Sequence, residues 1–186
     1  MPQAQSTVNA PSLAEDTGID GALFLPLRVI PANGGPVLHF LRQGSPLLPD
    51  FTKGFGEIYF SEAEPGAIKA WKRHRLQTQL FAVPSGRTKI VLYDGRKNSP
   101  TAGGIVEFLL GRPDHYGLLR IPCGVWYGFA ALGRNPALIC NCADIPHDPA
   151  EGERLPPDAP AIPYAWRISR VGVHNGFPRH LPTKKT

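Results

Sequence analysis

Short apolar segments alternate with turn-forming residues through the middle of this sequence, and this alternation constrains the fold more than any other feature. Nine segments of four to seven residues have the composition of strands. They are residues 36–41, 57–60, 67–71, 78–83, 88–93, 104–110, 116–121, 125–131 and 137–142. The breaks between them favour tight turns, as in Asn33-Gly34-Gly35 and Pro84-Ser85-Gly86. The pattern predicts an all-β sandwich or barrel.

The chain length predicts a single domain. A chain of 186 residues is long enough for one substantial core and short for two. We expect residues 1–17 to be a flexible N-terminal arm, residues 18–166 to form the domain and residues 167–186 to be a C-terminal extension. One helical turn is predicted over residues 148–154, where Pro149 suits a first helical position.

Charge and cysteine content narrow the class of partner. The net charge of +5 is spread thinly, without a basic face interleaved with aromatic residues, so no nucleic-acid partner is expected. A few well-placed cations are enough to bind an anionic small molecule. Three cysteines without metal-ligand spacing favour a reducing cytoplasm. No segment has the roughly 20 apolar residues of a membrane helix, and residues 1–18 lack the features of a secretory signal, so we expect a cytoplasmic protein without a membrane partner.

Two segments match the signature motifs of the cupin fold, a jelly-roll barrel also described as a double-stranded β-helix. They are residues 66–86 and 122–127. In cupins these motifs ordinarily supply His, His and Glu from the first segment and His from the second. The corresponding positions here hold Lys72, His74, Gln79 and Tyr127. Because a lysine repels a metal ion and one histidine cannot hold it alone, we predict that no metal is bound.

Further motifs surround these positions in a recognisable order. Asp94-x-Arg96 is followed by Ser99-Pro100-Thr101, and Pro122-x-Gly124 by Gly128-Phe129. The other matching segments are residues 56–61, 65–71 and 158–166. With these motifs the chain resembles the nucleotide-sugar 3,5-epimerases, the family that includes dTDP-4-dehydrorhamnose 3,5-epimerase, over about residues 18–166.

The resemblance implies a nucleoside-diphosphate 4-keto-6-deoxy sugar as the substrate and epimerisation at C3, C5 or both. The C4 ketone acidifies the hydrogens on the neighbouring carbons, so a base removes one and an acid returns a proton to the opposite face. The family uses a His base held by an Asp, a Tyr acid and a Lys beside the enolate oxygen. No cofactor is implied, because the ketone is the electron sink. A homodimer with crossing N-terminal strands is also implied.

At the matched positions this sequence departs from the family. The family's catalytic His falls on Lys72 and its Lys falls on Gln79. Its Tyr falls near Cys140, and an Arg that contacts the substrate falls on Lys69. The Asp that orients the catalytic His is present as Asp158.

The catalytic roles are therefore open among several residues. Lys72 is either the base or one half of a salt bridge with Asp158. His74 follows two residues later on the same predicted strand and faces the same side, so it is either a substitute base or a hydrogen-bonded barrel residue. Cys140 is either a proton donor or a small buried residue. Tyr127 is either a replacement acid or a packing residue, as is Tyr116.

Other polar residues are candidates for substrate binding. The mouth of the barrel is expected to be lined by Lys72, His74, Gln79 and Tyr127. Lys69 and Arg73 are candidate cations for the diphosphate, although Arg73 is equally suited to a solvated surface. His147 lies either beside the nucleoside or in a loop. Asp94 and Arg96 are expected to pair locally and fix a turn.

Three functions fit these observations. The first is an isomerase acting on a nucleotide-linked 4-keto sugar, with Lys72 or His74 as base and Asp158 as its partner. The second is a non-catalytic cupin that binds a sugar nucleotide. The third is a keto-isomerase, which needs one base and one acid on one face of the sugar.

Overall fold

In the computed structural model, which describes residues 13–42, 44–47 and 55–168, the chain forms thirteen strands and no helix. In chain order β1 to β13 are Glu15–Asp16, Leu23–Pro26, Val29–Ile30, Val37–Leu38, Glu57–Ala63, Ile68–His74, Gln79–Ser85, Arg87–Tyr93, Ile105–Gly111, Gly117–Ile121, Trp126–Ala131, Ala137–Ala143 and Gly152–Arg154. The described ranges accordingly contain no helix long and apolar enough to cross a membrane.

Two antiparallel sheets contain most of these strands. Sheet I has the order β1-β2-β10-β7-β12-β5 and sheet II the order β13-β6-β11-β8-β9, while β3 and β4 pair separately. The chain crosses from one sheet to the other at every step from β5 to β8 and at every step from β9 to β13. This is the topology of a jelly-roll barrel, so the predicted all-β cupin fold is confirmed.

Side chains that alternate along the strands build the core between the sheets. In β9, Val106, Phe108 and Leu110 are buried, and the residues between them are half-buried. Phe81 of sheet I meets Phe129 of sheet II edge-on, with ring centroids 6.0 Å apart. Because successive side chains of a strand point to opposite faces, these contacts define the inner face of each sheet.

The outer faces of both sheets are covered as well. On sheet I, Leu80 and Cys142 lie in a second cluster, against which Phe40 packs. On sheet II, the segment that follows β13 packs Trp166 against Trp71, with ring centroids 5.3 Å apart. The position of a residue in a strand therefore decides whether it lies inside the barrel or under an outer layer.

A buried carboxylate fixes the turn after β8. Asp94 is fully buried and accepts a hydrogen bond from Arg96 Nε at 2.8 Å. The hydroxyls of Ser99 and Thr101 donate to its other oxygen at 2.5 and 2.6 Å. The predicted pairing of Asp94 with Arg96 is confirmed, and the two hydroxyl contacts explain why a Ser-Pro-Thr sequence follows at this spacing.

One predicted element is wrong. Residues 148–154 do not form a helical turn, because Gly152–Arg154 pairs with the free edge of β6 and extends sheet II as β13. The predicted strand over residues 36–41 is shorter than expected, since only Val37–Leu38 is a strand and Phe40 packs under sheet I.

The sequence pattern also missed the strands at the start of the described chain. Leu23–Pro26 pairs with β10, and Glu15–Asp16, within the predicted N-terminal arm, pairs with Leu23–Pro26 in turn. The rest of that arm, residues 1–12, and residues 169–186 of the predicted extension lie outside the described residues.

We expect Asp94→Asn to lower the free energy of unfolding by about 3 kcal/mol at pH 7, because the substitution leaves the buried Arg96 contact without its counter-charge. Although burial opposes ionisation, the bonds from Arg96, Ser99 and Thr101 hold the pKa of Asp94 well below its usual range. The difference from wild type should therefore shrink as the pH falls below about 4, because this carboxyl takes up a proton in the unfolded chain at a higher pH than in the folded one. Urea unfolding at several pH values measures this, with exposed Asp114→Asn as the control.

Candidate functional site

A histidine held on both sides lies on the inner face of sheet II. His74 ends β6 and is 3% exposed. Its Nδ1 lies 2.5 Å from Glu151 Oε2, and its Nε2 lies 3.2 Å from the Tyr127 hydroxyl. A carboxylate only accepts hydrogen bonds, so Nδ1 carries the proton and Nε2 accepts from Tyr127. This arrangement presents an unprotonated Nε2 to the barrel interior.

Glu151 is fixed by the backbone as well as by the imidazole. Its Oε1 accepts the amide hydrogens of Leu76 and Gln77 at 2.6 and 2.8 Å. Although burial opposes ionisation, these two bonds and the one from His74 lower the pKa of Glu151. The carboxylate is thus ionised at neutral pH and orients the ring of His74.

The electrostatic surroundings keep His74 neutral. Burial lowers its pKa, and the hydrogen bond to Glu151 offsets part of this effect. The charge of Lys72 lowers the pKa further. A neutral imidazole whose second nitrogen is held by a carboxylate has the properties of a general base at pH 7.

Lys72 is the second polar residue on this face. It is half-buried and forms no hydrogen bond or ion pair with any residue in the ranges that the structure describes. Burial and the charge of Arg154 lower its pKa. Arg154 stands directly opposite Lys72 in the pairing of β13 with β6, so the two cations share one face.

A chain of amides extends from this site to the inner face of sheet I. Gln77 Nε2 donates to the Ile145 carbonyl, and Gln79 Nε2 donates to Gln77 Oε1, both at 2.6 Å. Gln79 Oε1 in turn accepts from Asn141 Nδ2. The same Nδ2 donates to the Tyr59 hydroxyl at 2.7 Å. Since Gln77 also donates its backbone N–H to Glu151, the chain continues to His74.

Three predicted site residues lie on the wrong face for the expected role. Asp158 is exposed in the segment that covers the outside of sheet II, and no hydrogen bond or ion pair joins it to another described residue. It does not hold Lys72, and Glu151 is the carboxylate that contacts His74. Arg73 also points outward, 4.5 Å from the Trp126 ring centroid and 2.5 Å from Glu153.

Cys140 is the third of these residues. It is buried, and burial raises the pKa of its thiol. Strand alternation places it on the outer face of sheet I, because its neighbour Asn141 bonds Tyr59 and Gln79 on the inner face. The geometry therefore supports Cys140 as a small buried residue and not as a proton donor. Tyr116 lies on the same outer side, where its hydroxyl donates to the His39 carbonyl at 2.9 Å.

The remaining predicted residues differ in how far they are buried. Gln79 is 1% exposed and holds the amide chain. Lys69 is exposed, and its Nζ donates to Ser61 Oγ at 3.2 Å. A register shift between Tyr127 and Phe129 brings Lys69 to the same face of β6 as Lys72. His147 is exposed in the loop before β13.

The sequence did not identify Glu151, Arg154, Tyr59 or Asn141 as site residues. Glu151 lies 77 positions from His74, and nothing in its local sequence marks it as the partner. Among the described residues no three His, Cys, Asp or Glu side chains are grouped as metal ligands. The expectation of a metal-free site still rests on the chemistry of Lys72 and Gln79 at the ligand positions.

Comparison with known proteins shows what this sequence and this fold are similar to. The sequence profile of the dTDP-4-dehydrorhamnose 3,5-epimerases matches residues 19–177. The probable low-salt glycan biosynthesis epimerase Agl13 of Haloferax volcanii is 38% identical over 118 residues, 61% of this chain and 74% of that protein. The spore coat polysaccharide biosynthesis protein SpsL of Bacillus subtilis is 35% identical over 114 residues, 60% of this chain and 75% of that protein. The crystal structure of a dTDP sugar isomerase from Desulfovibrio desulfuricans G20 is 58% identical with a TM-score of 0.77, covering 83% of this chain and 94% of that one.

We expect Glu151→Gln to lower the pKa of His74 further, because the carboxylate is the group that favours the imidazolium. Nitrogen NMR of the imidazole, followed against pH, measures this and also reports which ring nitrogen carries the proton. Glu153→Gln is the matched control, since Glu153 pairs with Arg73 on the outer face and should leave His74 unchanged. A His74 titration that is insensitive to Glu151→Gln would show that the carboxylate does not hold the ring in solution.

Proposed function

The chain belongs to the dTDP-4-dehydrorhamnose 3,5-epimerase family, and from this we propose that it is an isomerase that moves protons at carbon on a nucleoside-diphosphate 4-keto-6-deoxy sugar. The proposal is supported by relatives described as a glycan biosynthesis epimerase and a dTDP sugar isomerase. The observation that carries it is the buried Glu151–His74 pair on the inner face of sheet II.

In this proposal His74 is the base. The ketone at C4 acidifies the C3 and C5 hydrogens, and neutral Nε2 accepts one of them as the electron pair moves onto the ketone oxygen. Glu151 stabilises the imidazolium that results. The Tyr127 hydroxyl, now bound to Nε2 at 3.2 Å, moves aside for the substrate hydrogen. Glu151 and His74 thus have the role that the family gives to an Asp and a His. The family's His falls on Lys72, two positions before His74 on β6.

Lys72 is proposed to stabilise the enolate. It lies on the same inner face as His74, two residues away, and its Nζ has no partner among the described residues. A partly desolvated cation beside the developing enolate oxygen lowers the barrier to proton removal. The family assigns this role to a Lys at the position of Gln79.

The diphosphate is proposed to bind beside these residues. Lys72 and Arg154 face each other on neighbouring strands, and Lys69 lies on the same face of β6. Like charges placed opposite each other destabilise a sheet unless an anion lies between them. This pair is therefore suited to a phosphate-bearing ligand. The homodimer and the cytoplasmic location stay predictions, and sedimentation of the purified chain tests the first.

A keto-isomerase is the second candidate. It is favoured by one observation, that His74 and Tyr127 form a base and an acid on the same sheet. Product analysis separates the two reactions, because an epimerase keeps the ketone at C4 and a keto-isomerase moves it to a neighbouring carbon.

We expect the purified protein to incorporate solvent deuterium into at least one of a panel of 4-keto-6-deoxyhexoses linked to dTDP, GDP or CDP. His74→Asn should reduce this exchange at least about 100-fold, because the base is lost. Arg73→Gln, which changes the neighbouring outward residue, should leave it intact. NMR of the sugar hydrogens measures the rate at C3 and at C5.

The outcomes of this experiment separate the hypotheses. Exchange that survives in His74→Asn and disappears in Lys72→Met would make Lys72 the base. Binding of these sugars without exchange above the buffer rate would leave the non-catalytic cupin as the function.

We expect Arg154→Gln to weaken dTDP binding about tenfold, which corresponds to one charge-assisted hydrogen bond of about 1.4 kcal/mol. Titration calorimetry at low and high salt measures this, and the loss should be smaller at high salt, where the charge is screened. Arg73→Gln again serves as the control. Equal affinities for wild type and Arg154→Gln would place the diphosphate elsewhere.

A further inference from the structure

Inversion at carbon needs an acid on the side of the sugar opposite the base, and the family's tyrosine position falls near Cys140, which faces outward here. The remaining tyrosines near the site differ in where they lie. Tyr116 is on the outer side of sheet I, and Tyr127 is on the same sheet as His74. We infer that Tyr59 is the acid that protonates the enolate from the face opposite His74, an inference that rests on the proposed epimerase function.

Tyr59 lies on the opposite wall of the barrel from the base. It is in β5 of sheet I, whereas His74 is in β6 of sheet II. Its neighbours Ile58 and Phe60 are 45% and 64% exposed on the outer face, so alternation directs Tyr59 inward. Its bond to Asn141, which also bonds Gln79, confirms that direction. A sugar ring between the two sheets therefore has one face toward His74 and the other toward Tyr59.

The amide chain fixes the direction of the hydrogen bond to Tyr59. It begins at the Ile145 carbonyl, which only accepts, so the Gln77 amide must donate to it. Gln77 and Gln79 each present their nitrogen backwards and their oxygen forwards, and the last donor is Asn141 Nδ2, which donates to Gln79 Oε1. The Tyr59 oxygen is consequently an acceptor in its bond with Asn141. Its own hydrogen is not used by the chain and can be donated to a ligand.

The surroundings suit a phenol that gives up a proton only during the reaction. Burial raises the pKa of Tyr59, so the acid form is present at neutral pH. The hydrogen bond from Asn141 and the charge of Arg154 act in the other direction and stabilise the phenolate once the proton has left. Tyr59 is half-buried, which leaves it open to reprotonation by water.

Reprotonation by Tyr59 needs no reactant other than the enolate, the two side chains and water. As the enolate collapses to the ketone, the electron pair of its carbon–carbon double bond takes the hydrogen of Tyr59, and the O–H bond breaks to leave a phenolate. Water returns a proton to Tyr59 and takes one from the His74 imidazolium. The substrate has then exchanged one hydrogen with solvent and inverted one carbon.

Tyr59→Phe separates proton removal from inversion. In deuterated solvent with the 4-keto-6-deoxyhexose panel, we expect exchange into recovered substrate to stay within about threefold of wild type. Formation of the epimer should fall at least about 100-fold, because only the base-side face can be reprotonated. Tyr116→Phe, a tyrosine on the outer side, should change neither rate.

Asn141→Leu provides a second variant that leaves the phenol in place. It removes the bond that holds the Tyr59 hydroxyl, and the ratio of inversion to exchange should fall about tenfold. Three outcomes would overturn the inference. Folded Tyr59→Phe could invert the sugar at nearly the wild-type rate, or it could lose exchange together with inversion. Alternatively, inversion could be lost in Tyr127→Phe instead. A wild-type protein that exchanges no sugar would instead sink the proposed function itself, so the two failures are distinguishable.

Discussion

Burying a polar group between two apolar sheets costs free energy unless the group finds a hydrogen-bond partner, and Glu151 is the partner of three such groups in this barrel. One oxygen accepts hydrogen bonds from the backbone N–H groups of Leu76 and Gln77, and these bonds fix the connection between β6 and β7. The other oxygen accepts a hydrogen bond from His74 Nδ1 and so orients the imidazole ring. Because Glu151 immediately precedes β13, the same contact secures the last strand of sheet II. Without this carboxylate the amides and the imidazole would all lose their buried acceptor.

In the proposed function, the contact between Glu151 and His74 takes the place of the family's Asp–His pair. The family places its histidine at the position of Lys72, with an aspartate that falls on Asp158. Here Asp158 lies in the outer layer. The carboxylate on the inner face is Glu151, which immediately precedes β13, the strand that pairs with β6. A histidine two positions later on the same strand keeps the same face, since side chains repeat every second residue. The position left behind holds a cation, which an enolate also requires. The histidine has therefore moved along one face of β6, whereas the carboxylate and the lysine come from other elements than the family's.

The fold was predictable from the sequence to a greater degree than the site. Strands β5 to β12 follow from local composition and turns, and the pairing of Asp94 with Arg96 follows from a spacing of two residues. Periodicity also placed His74 on the face of Lys72. The contact with Glu151 joins residues 77 positions apart, and its geometry depends on sheet pairing that no local pattern encodes. Cys140 shows the other limit: an alignment uncertain by one residue exchanges the inner and outer faces of a strand.

The cation pair at the mouth links stability to function. Lys72 and Arg154 occupy directly opposed positions on neighbouring strands, an arrangement that costs stability in the free protein. Burial and the charge of Arg154 lower the pKa of Lys72, so both disfavour its charged form. In the proposed function, a diphosphate beside these residues would weaken the repulsion and raise the pKa of Lys72 again, because a nearby anion favours the charged amine. In that proposal, the opposed cations of the free protein favour an anionic ligand because such a ligand offsets their repulsion.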